Sequence, residues 1–304
     1  MWGYSDARHA LRDALRLSRA MTFKSAVADL PLGGKGVIMT SPGAELSSEL
    51  RAAALLDFGD TVESLGGRYI TAEDVGTSSR DMRLIAQQTQ HVAGLPARMG
   101  GSGDPSPFTA LGVESAIRAC CERAFGSSSL RDRSVAVVGL GHVGSRVAKR
   151  CARAGARLVV GDIDRGKRRL AEDLDAAWLE PEDALEAEVD VVAPCALGGV
   201  LNHETVPRLR CRIVAGAANN QLAGESVADL LSAREILWAP DFVVNAGGII
   251  NIAEEQHGYD AGAARRRVRR IGEILLEIFD RADADAVTPL AAAMDLARTR
   301  LESV

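Results

Sequence analysis

Apolar residues recur at helical spacing along residues 6–20, DARHALRDALRLSRA, and predict an amphipathic helix. GVIMTS reads as a short strand, LSSELRAAALLDFGDTVESL as a long helix and RYITA as another strand. SSRDMRLIAQQTQHV opens with a capping signal, Ser78 followed three residues later by Asp81, and the pattern predicts that the helix continues to its end. The segment GGSGDPSP, Gly100–Pro107, breaks all periodicity and is expected to be a hinge or loop at a domain junction.

After the helix FTALGVESAIRACCERAF the texture changes. Apolar strands (SVAVVGL, RLVVGD, VDVVAPC, RIVAGA, ILWAP) alternate with helical stretches, which implies right-handed crossovers and a parallel sheet covered on both faces. Residues beyond Ala246 read as helices, the last of them returning to the first domain. The expected fold class is α/β with two domains: an N-terminal α/β substrate domain over 1–107, completed by a C-terminal helix over 285–304, and a doubly wound Rossmann domain over 108–284.

The 304 residues suffice for two cores, and 47% apolar with 25% charged residues is an ordinary globular balance. The longest apolar runs, such as VDVVAPCALGGVL, are broken well short of the roughly 20 residues of a spanning helix, so no membrane segment is expected. The N-terminus lacks a basic start followed by an apolar stretch, so no signal peptide is read there. Cys120, Cys121, Cys151, Cys195 and Cys211 form no CxxC pair and no metal-ligand spacing, which suits reduced thiols in a cytoplasm and no metal. Net charge is -5, and the basic run AARRRVRRI sits in a helical pattern as a solvated face, so no nucleic-acid partner is expected.

VAVVGLGHVG places Gly139, Gly141 and Gly144 in G-x-G-x-x-G spacing after a strand and at the head of a helix, with His142 and Val143 between them. The glycines permit a tight turn, close approach of a pyrophosphate and helix-strand packing, and the helix start offers N–H groups to phosphate. Asp162 ends the next strand 23 positions after Gly139, near the spacing of about 20 expected for a ribose-binding acid. Its carboxylate would repel a 2′-phosphate, so NAD is preferred to NADP, with Arg165 able to soften that preference.

MTFKSAVADLPLGGKGVI, Met21–Ile38, sets Lys24 and Lys35 eleven positions apart, the second inside a glycine run that lacks the phosphate-loop pattern. With GGRYITAEDVGT, GSGDPSPFTALGV, APCALGGVLN, AGAANNQL and APDFVVNAGGIIN, this segment resembles the glutamate, leucine, valine and phenylalanine dehydrogenase family. The likeness runs in order along nearly the whole chain and is nearest in pattern to the branched-chain members. It implies oxidative deamination of an amino acid to the 2-oxo acid and ammonia by a homo-oligomer. It further implies that Lys24 pairs with the substrate carboxylate, that Lys35 polarises the reacting carbon and activates water, and that Asp74 exchanges a proton with the amino group. Thr109 and Asn219 would lie beside the cofactor and Asn245 near the substrate or the nicotinamide ribose. Such proton work suits an amine and a carboxylate whose pKa values are pushed toward neutrality.

By the same resemblance Ala72, Ala93, Ile249 and Ile252 line the side-chain pocket. All four are apolar, whereas a buried glutamate carboxylate needs a cation or hydroxyl. An aliphatic substrate of valine or leucine type is expected. A difference of one methylene, worth about 1–3 kcal/mol, leaves those two unseparated.

Two departures from the family pattern stand out. LGGKG is one residue shorter than the usual run before the lysine, a contraction that shifts Lys35 by up to about 3.5 Å unless the turn re-forms. The resemblance also implies a leading segment ahead of MWGY, carrying a glycine pair near the substrate and part of the subunit contact. Two alternatives stay open at this level: a catalytically impaired NAD-binding homologue, and an aromatic amino-acid dehydrogenase of specialised metabolism.

Overall fold

A computed structural model describes residues 1–304 apart from 42, 44, 45, 75 and 304, and apart from the side chains of 97 and 257. Strand β1 (Trp2–Gly3), helix α1 (Ala7–Val27), β2 (Met39–Thr40), α2 (Ser48–Ser64) and α3 (Ser79–Ile85) form the first unit. Then come α4 (Ser106–Phe125), β3 (Ser134–Val138), α5 (Gly144–Arg153), β4 (Arg157–Gly161), α6 (Arg168–Asp173), β5 (Ala177–Trp178) and α7 (Pro181–Leu185). The remainder is β6 (Val191–Pro194), β7 (Ile213–Val214), α8 (Ser226–Ala233), β8 (Leu237–Trp238), α9 (Asp241–Val244), α10 (Gly247–Ala253), α11 (Ala261–Arg269), α12 (Ile271–Ala284) and α13 (Pro289–Glu302).

Six strands make one parallel sheet in the order β5-β4-β3-β6-β7-β8. The chain starts in the middle at β3, builds outward to β5, then crosses back to β6, so β3 and β6 flank the point where strand order reverses. Side chains of β3 alternate between two cores, as strand geometry requires. Val135 and Val137 join the core under α4, α5, α10, α11 and α12, while Ala136 and Val138 join the core under α7 and α8.

The first unit has a small core of its own, Leu55 of α2 against Met82 and Ile85 of α3. The end of α1 belongs instead to the large core: Val27, Ala28 and Leu30 are buried there with Ala293 and Leu296 of α13. Arg300 Nη1 of α13 donates to the Val27 carbonyl (2.5 Å), and Arg267 Nη2 of α11 to that of Asp29 (3.0 Å). The last turn of α1 is therefore fixed from several sides.

Three expected elements end differently in the structure. Helix α3 has the expected capping box but stops at Ile85, because Thr89 Oγ1 donates to Glu63 (2.6 Å) and the chain turns to bridge Val92 to Thr71. RYITA contributes only that bridge. The GDPSP loop ends at Pro105, since two prolines suit the first turn of a helix and α4 begins at Ser106.

Candidate active site

Lys35 sits on a loop that only glycine could build. A Cβ on Gly33 would lie 2.9 Å from Thr22 Oγ1, and one on Gly36 2.5 Å from the Tyr69 hydroxyl, while Gly34 has φ +75°. The loop is thus pressed between α1 and Tyr69. From it the Lys35 amine reaches the Asp74 carboxylate and forms an ion pair. Asp74 stands in a turn closed by Thr77, whose Oγ1 accepts from the Asp74 N–H (3.0 Å) and donates to the Asp74 carbonyl (2.7 Å). The shortened glycine run still brings lysine and acid together.

Lys24, in the last turn of α1, reaches across to the other unit. Its Nζ donates to Asn219 Oδ1 (3.2 Å), which also accepts from Asn245 Nδ2 (2.7 Å). Asn219 lies in the loop after β7 and Asn245 follows α9, so this contact joins three elements at the carboxyl ends of the parallel strands. The side-chain Oδ1 of Asn245 is buried without a partner, an acceptor left for a ligand. Burial pushes the Lys24 ammonium down to about 8, partly offset by the charges of Asp241 and Asp74 and reinforced by that of Lys35.

The loop carrying Asn219 is held from beneath. Gln221 is fully buried and its side chain is satisfied: Nε2 donates to the carbonyls of Gly216 (2.9 Å) and Ala218 (3.1 Å), and Oε1 accepts from Trp238 Nε1 (3.1 Å). Its backbone N–H donates to Asp241 Oδ2 (2.7 Å).

The glycine fingerprint separates into two that pack and one that is open. Gly139 has φ +99° and a Cβ there would lie 2.6 Å from that of Ala196, while a Cβ on Gly144 would run into the Gly139 carbonyl oxygen. Around a Cβ on Gly141 there is open space, and no side chain caps the start of α5. The N–H groups of Ser145 and Arg146 already donate to the carbonyls of Gly141 (3.1 Å) and Val143 (2.9 Å), so what the turn offers a pyrophosphate is the open backbone at Gly141 and the positive end of α5. His142 is exposed and Val143 half-buried beside that opening. Asp162 Oδ2 accepts from Leu140 N–H (2.5 Å) and Oδ1 from Asp164 N–H (2.8 Å), which fixes the carboxylate at the end of β4. Each oxygen keeps a lone pair for a ribose hydroxyl. These residues fit a dinucleotide.

Thr109 lies on the first turns of α4, half-buried, where Gly247 and Gly248 let α10 come down onto the backbone of Phe108 and Thr109. Ile249 and Ile252 are three apart on α10, share a face and are half-buried. Ala72 and Ala93 directly follow the bridged pair Thr71 and Val92. Glu255 ties these parts together: its carboxylate accepts from the N–H groups of Gly94 (3.0 Å) and Ser102 (2.6 Å).

Residues 4–91 match the family model described as Glu/Leu/Phe/Val dehydrogenase, dimerisation domain, and residues 160–281 that of Glutamate/Leucine/Phenylalanine/Valine dehydrogenase. Residues 114–203 match the NAD binding domain of D-isomer specific 2-hydroxyacid dehydrogenases. The sequence is 42% identical over 304 residues to leucine dehydrogenase of Thermoactinomyces intermedius, covering 99% of this chain and 82% of that protein. The chain belongs to the Glu/Leu/Phe/Val dehydrogenase family.

This amino-acid dehydrogenase is also 42% identical over 303 residues to valine dehydrogenase of Streptomyces albus, covering 98% of this chain and 82% of that one. The crystal structure of L-tryptophan dehydrogenase from Nostoc punctiforme superposes with a TM-score of 0.85 at 39% identity, over 99% of this chain and 85% of that one. As a family member it is an oxidoreductase that acts on CH–NH2 donors with a nicotinamide cofactor. Among the described residues no helix is long and apolar enough to cross a membrane.

Sequence reasoning missed Asp241, Gln221, Glu255 and the pair Asp104–Arg146, which meets at 3.0 Å between the GDPSP loop and α5. None has a spacing signature. The one available signal was the proline before Asp241, which marks a helix start and so a carboxylate at an N-terminus.

Proposed function

We propose that this dehydrogenase oxidatively deaminates an aliphatic L-amino acid of valine or leucine type with NAD, and that Lys35 and Asp74 move the protons. The observation that carries the proposal is the contact of Lys35 with Asp74 beside the Lys24–Asn219–Asn245 cluster. The bound nicotinamide supplies the acceptor for the hydride from the substrate's α carbon. Lys24 receives the substrate carboxylate and fixes the orientation of that carbon. Asp74 takes a proton from the substrate ammonium, so that its nitrogen lone pair can drive hydride loss. Lys35, as the free amine, takes a proton from water as the water adds to the resulting iminium carbon. Asp74 then returns its proton to the amino nitrogen, which leaves as ammonia while the emptied Asp74 carboxylate takes the proton of the carbinol hydroxyl, and the 2-oxo acid remains. One water is consumed and two protons are released, one of which ammonia takes up in water.

Two features support NAD over NADP. Asp162, held at the end of β4, would meet the ribose, and the cations that follow it are engaged elsewhere: Arg165 Nη2 lies 3.3 Å and Arg168 Nη2 3.6 Å from Glu180 Oε1. A 2′-phosphate would meet a carboxylate and find those guanidinium groups already paired.

A homo-oligomer is supported by the exposed apolar residues of the part matched as a dimerisation domain. Leu11 and Leu15, four apart on α1, are 61% and 63% exposed and Met39 is 45% exposed, and Trp2, paired with Met39 just ahead of the matched residues, is 56% exposed. Five free thiols, four of them buried, fit a reducing cytoplasm. As a working division, residues 1–107 with 285–304 would present Lys24, Lys35 and Asp74, and residues 108–284 the cofactor.

The pocket residues Ala72, Ala93, Ile249 and Ile252 favour a branched aliphatic side chain. The likeness to an L-tryptophan dehydrogenase favours a second reading, an aromatic substrate. NADH formation over a panel of L-amino acids tests both. Highest kcat/KM with leucine or valine supports the first reading, and highest kcat/KM with tryptophan or phenylalanine supports the second.

A further inference from the structure

Asp241 is a buried carboxylate that the chemistry above does not use. It opens α9, is 8% exposed, and lies where the last turn of α1 packs on α9. The N–H groups of Asn220, Gln221 and Phe242 all point to it, and the Gln221 bond measures 2.7 Å. Three N–H donors make a site for an anion. Lys24, on α1, feels this charge without pairing to it, and its amine ends on Asn219 in the same loop that Asp241 holds.

We infer that Asp241 is a positioning residue for Lys24: it fixes the Asn219 loop through backbone N–H groups and supplies the buried counter-charge that keeps the Lys24 ammonium ionised in the cleft. The inference rests on the reading of Lys24 as the partner of the substrate carboxylate.

An ammonium removed from water loses its charge unless an anion stands near it. The charged groups facing Lys24 are Asp241 from α9, Asp74 from the turn closed by Thr77, and Lys35 from the glycine loop. Asp74 is paired with Lys35, so the two largely cancel at Lys24. Asp241 remains as the principal counter-charge, and the coupling is mutual: burial pushes the Asp241 carboxyl up, while the Gln221 N–H first and the charge of Lys24 next favour its ionised form. Gln221 and Trp238 make the arrangement stiff, so the charge is not free to move away when substrate binds.

The test is the pH dependence of inhibition by 4-methylpentanoate, which carries the substrate's carboxylate without a titrating amine. In the wild-type enzyme its Ki should rise about tenfold per pH unit above a midpoint near 8, where burial has brought Lys24. In D241N the midpoint should fall by about one unit, giving a Ki about tenfold above wild type at pH 9 and within about twofold of it at pH 6. D241S, whose hydroxyl still accepts from Gln221, should behave in the same way if D241N folds poorly. In a K24R background, where the guanidinium needs no help to stay charged, D241N should add no pH dependence. A wild-type Ki that is flat from pH 7 to 9 overturns the inference. So does a weakening in D241N or D241S that is equal at every pH, which would mark a purely structural role. If K24Q leaves the Ki untouched, the reading of Lys24 fails first and the inference fails with it.

Discussion

The ammonium group of Lys35 meets the carboxylate of Asp74 across 39 positions of sequence, in a loop one residue shorter than the family pattern leads one to expect. The contact is made possible by close packing of Gly33 against Thr22 and of Gly36 against Tyr69. If Asp74 carries the proton to and from the amino group, D74N should keep KM for the amino acid within a few-fold and lower kcat by about 10²- to 10⁴-fold. Steady-state kinetics on the folded variant decide this, and a KM effect alone would move Asp74 to substrate binding.

Two fingerprint glycines should fail for different reasons. Gly144→Ala drives a methyl group into the Gly139 carbonyl and should destabilise the fold by about 1–3 kcal/mol, seen as a lower Tm. Gly141→Ala meets open space, so its Tm should stay at the wild-type value while the Kd for NADH rises about tenfold, on the order of 1.4 kcal/mol. Thermal melts and NADH fluorescence titrations separate the two effects.

Cofactor choice should depend on Asp162 first and Glu180 second. D162A should lower kcat/KM with NAD and raise it with NADP. Adding E180Q releases Arg165 and Arg168 and should raise the NADP value by about a further threefold, a modest step because the pairs are exposed. If D162A leaves the NAD to NADP ratio unchanged, this acid does not select the cofactor.

Ile252 and Ile249 share one face of α10. Replacing Ile252 by alanine should shorten the reach of the pocket wall and shift the kcat/KM ratio of tryptophan to leucine upward by about tenfold. An unchanged ratio would place the side-chain pocket elsewhere.

Leu11 and Leu15 stand in the open on α1. Changing both to glutamate should reduce the particle size seen by light scattering without lowering the Tm of the monomer, since neither residue contributes to a core. An unchanged particle mass would remove this face from the subunit contact.

Much of the nucleotide-binding half was legible because its signals are local. A strand of small and β-branched residues, three glycines at fixed offsets and an acid at the next strand end each follow from neighbours in the chain. Strand β5, two residues at the sheet edge, and helix α7, five residues packed on β3 and β4, were missed, both being too short to show a period. Helix α3 ended early because Thr89 finds Glu63, 26 positions away, which no helical pattern records. The same applies to Asp241, Gln221 and Glu255. Asp241 and Glu255 act by accepting from backbone groups of distant loops, which carry no sequence identity, and Gln221 by bonding the carbonyls of its own loop and the Trp238 ring, which no spacing records.

The central claim is tested most directly by NADH formation from L-leucine, compared between wild type and K35A with NADH binding measured in parallel. The wild-type chain should release one ammonia per NADH, and K35A should lose about 10³-fold in kcat while binding NADH with unchanged affinity. Turnover by K35A within tenfold of wild type, or a wild-type chain that binds NADH and oxidises no L-amino acid, would contradict it.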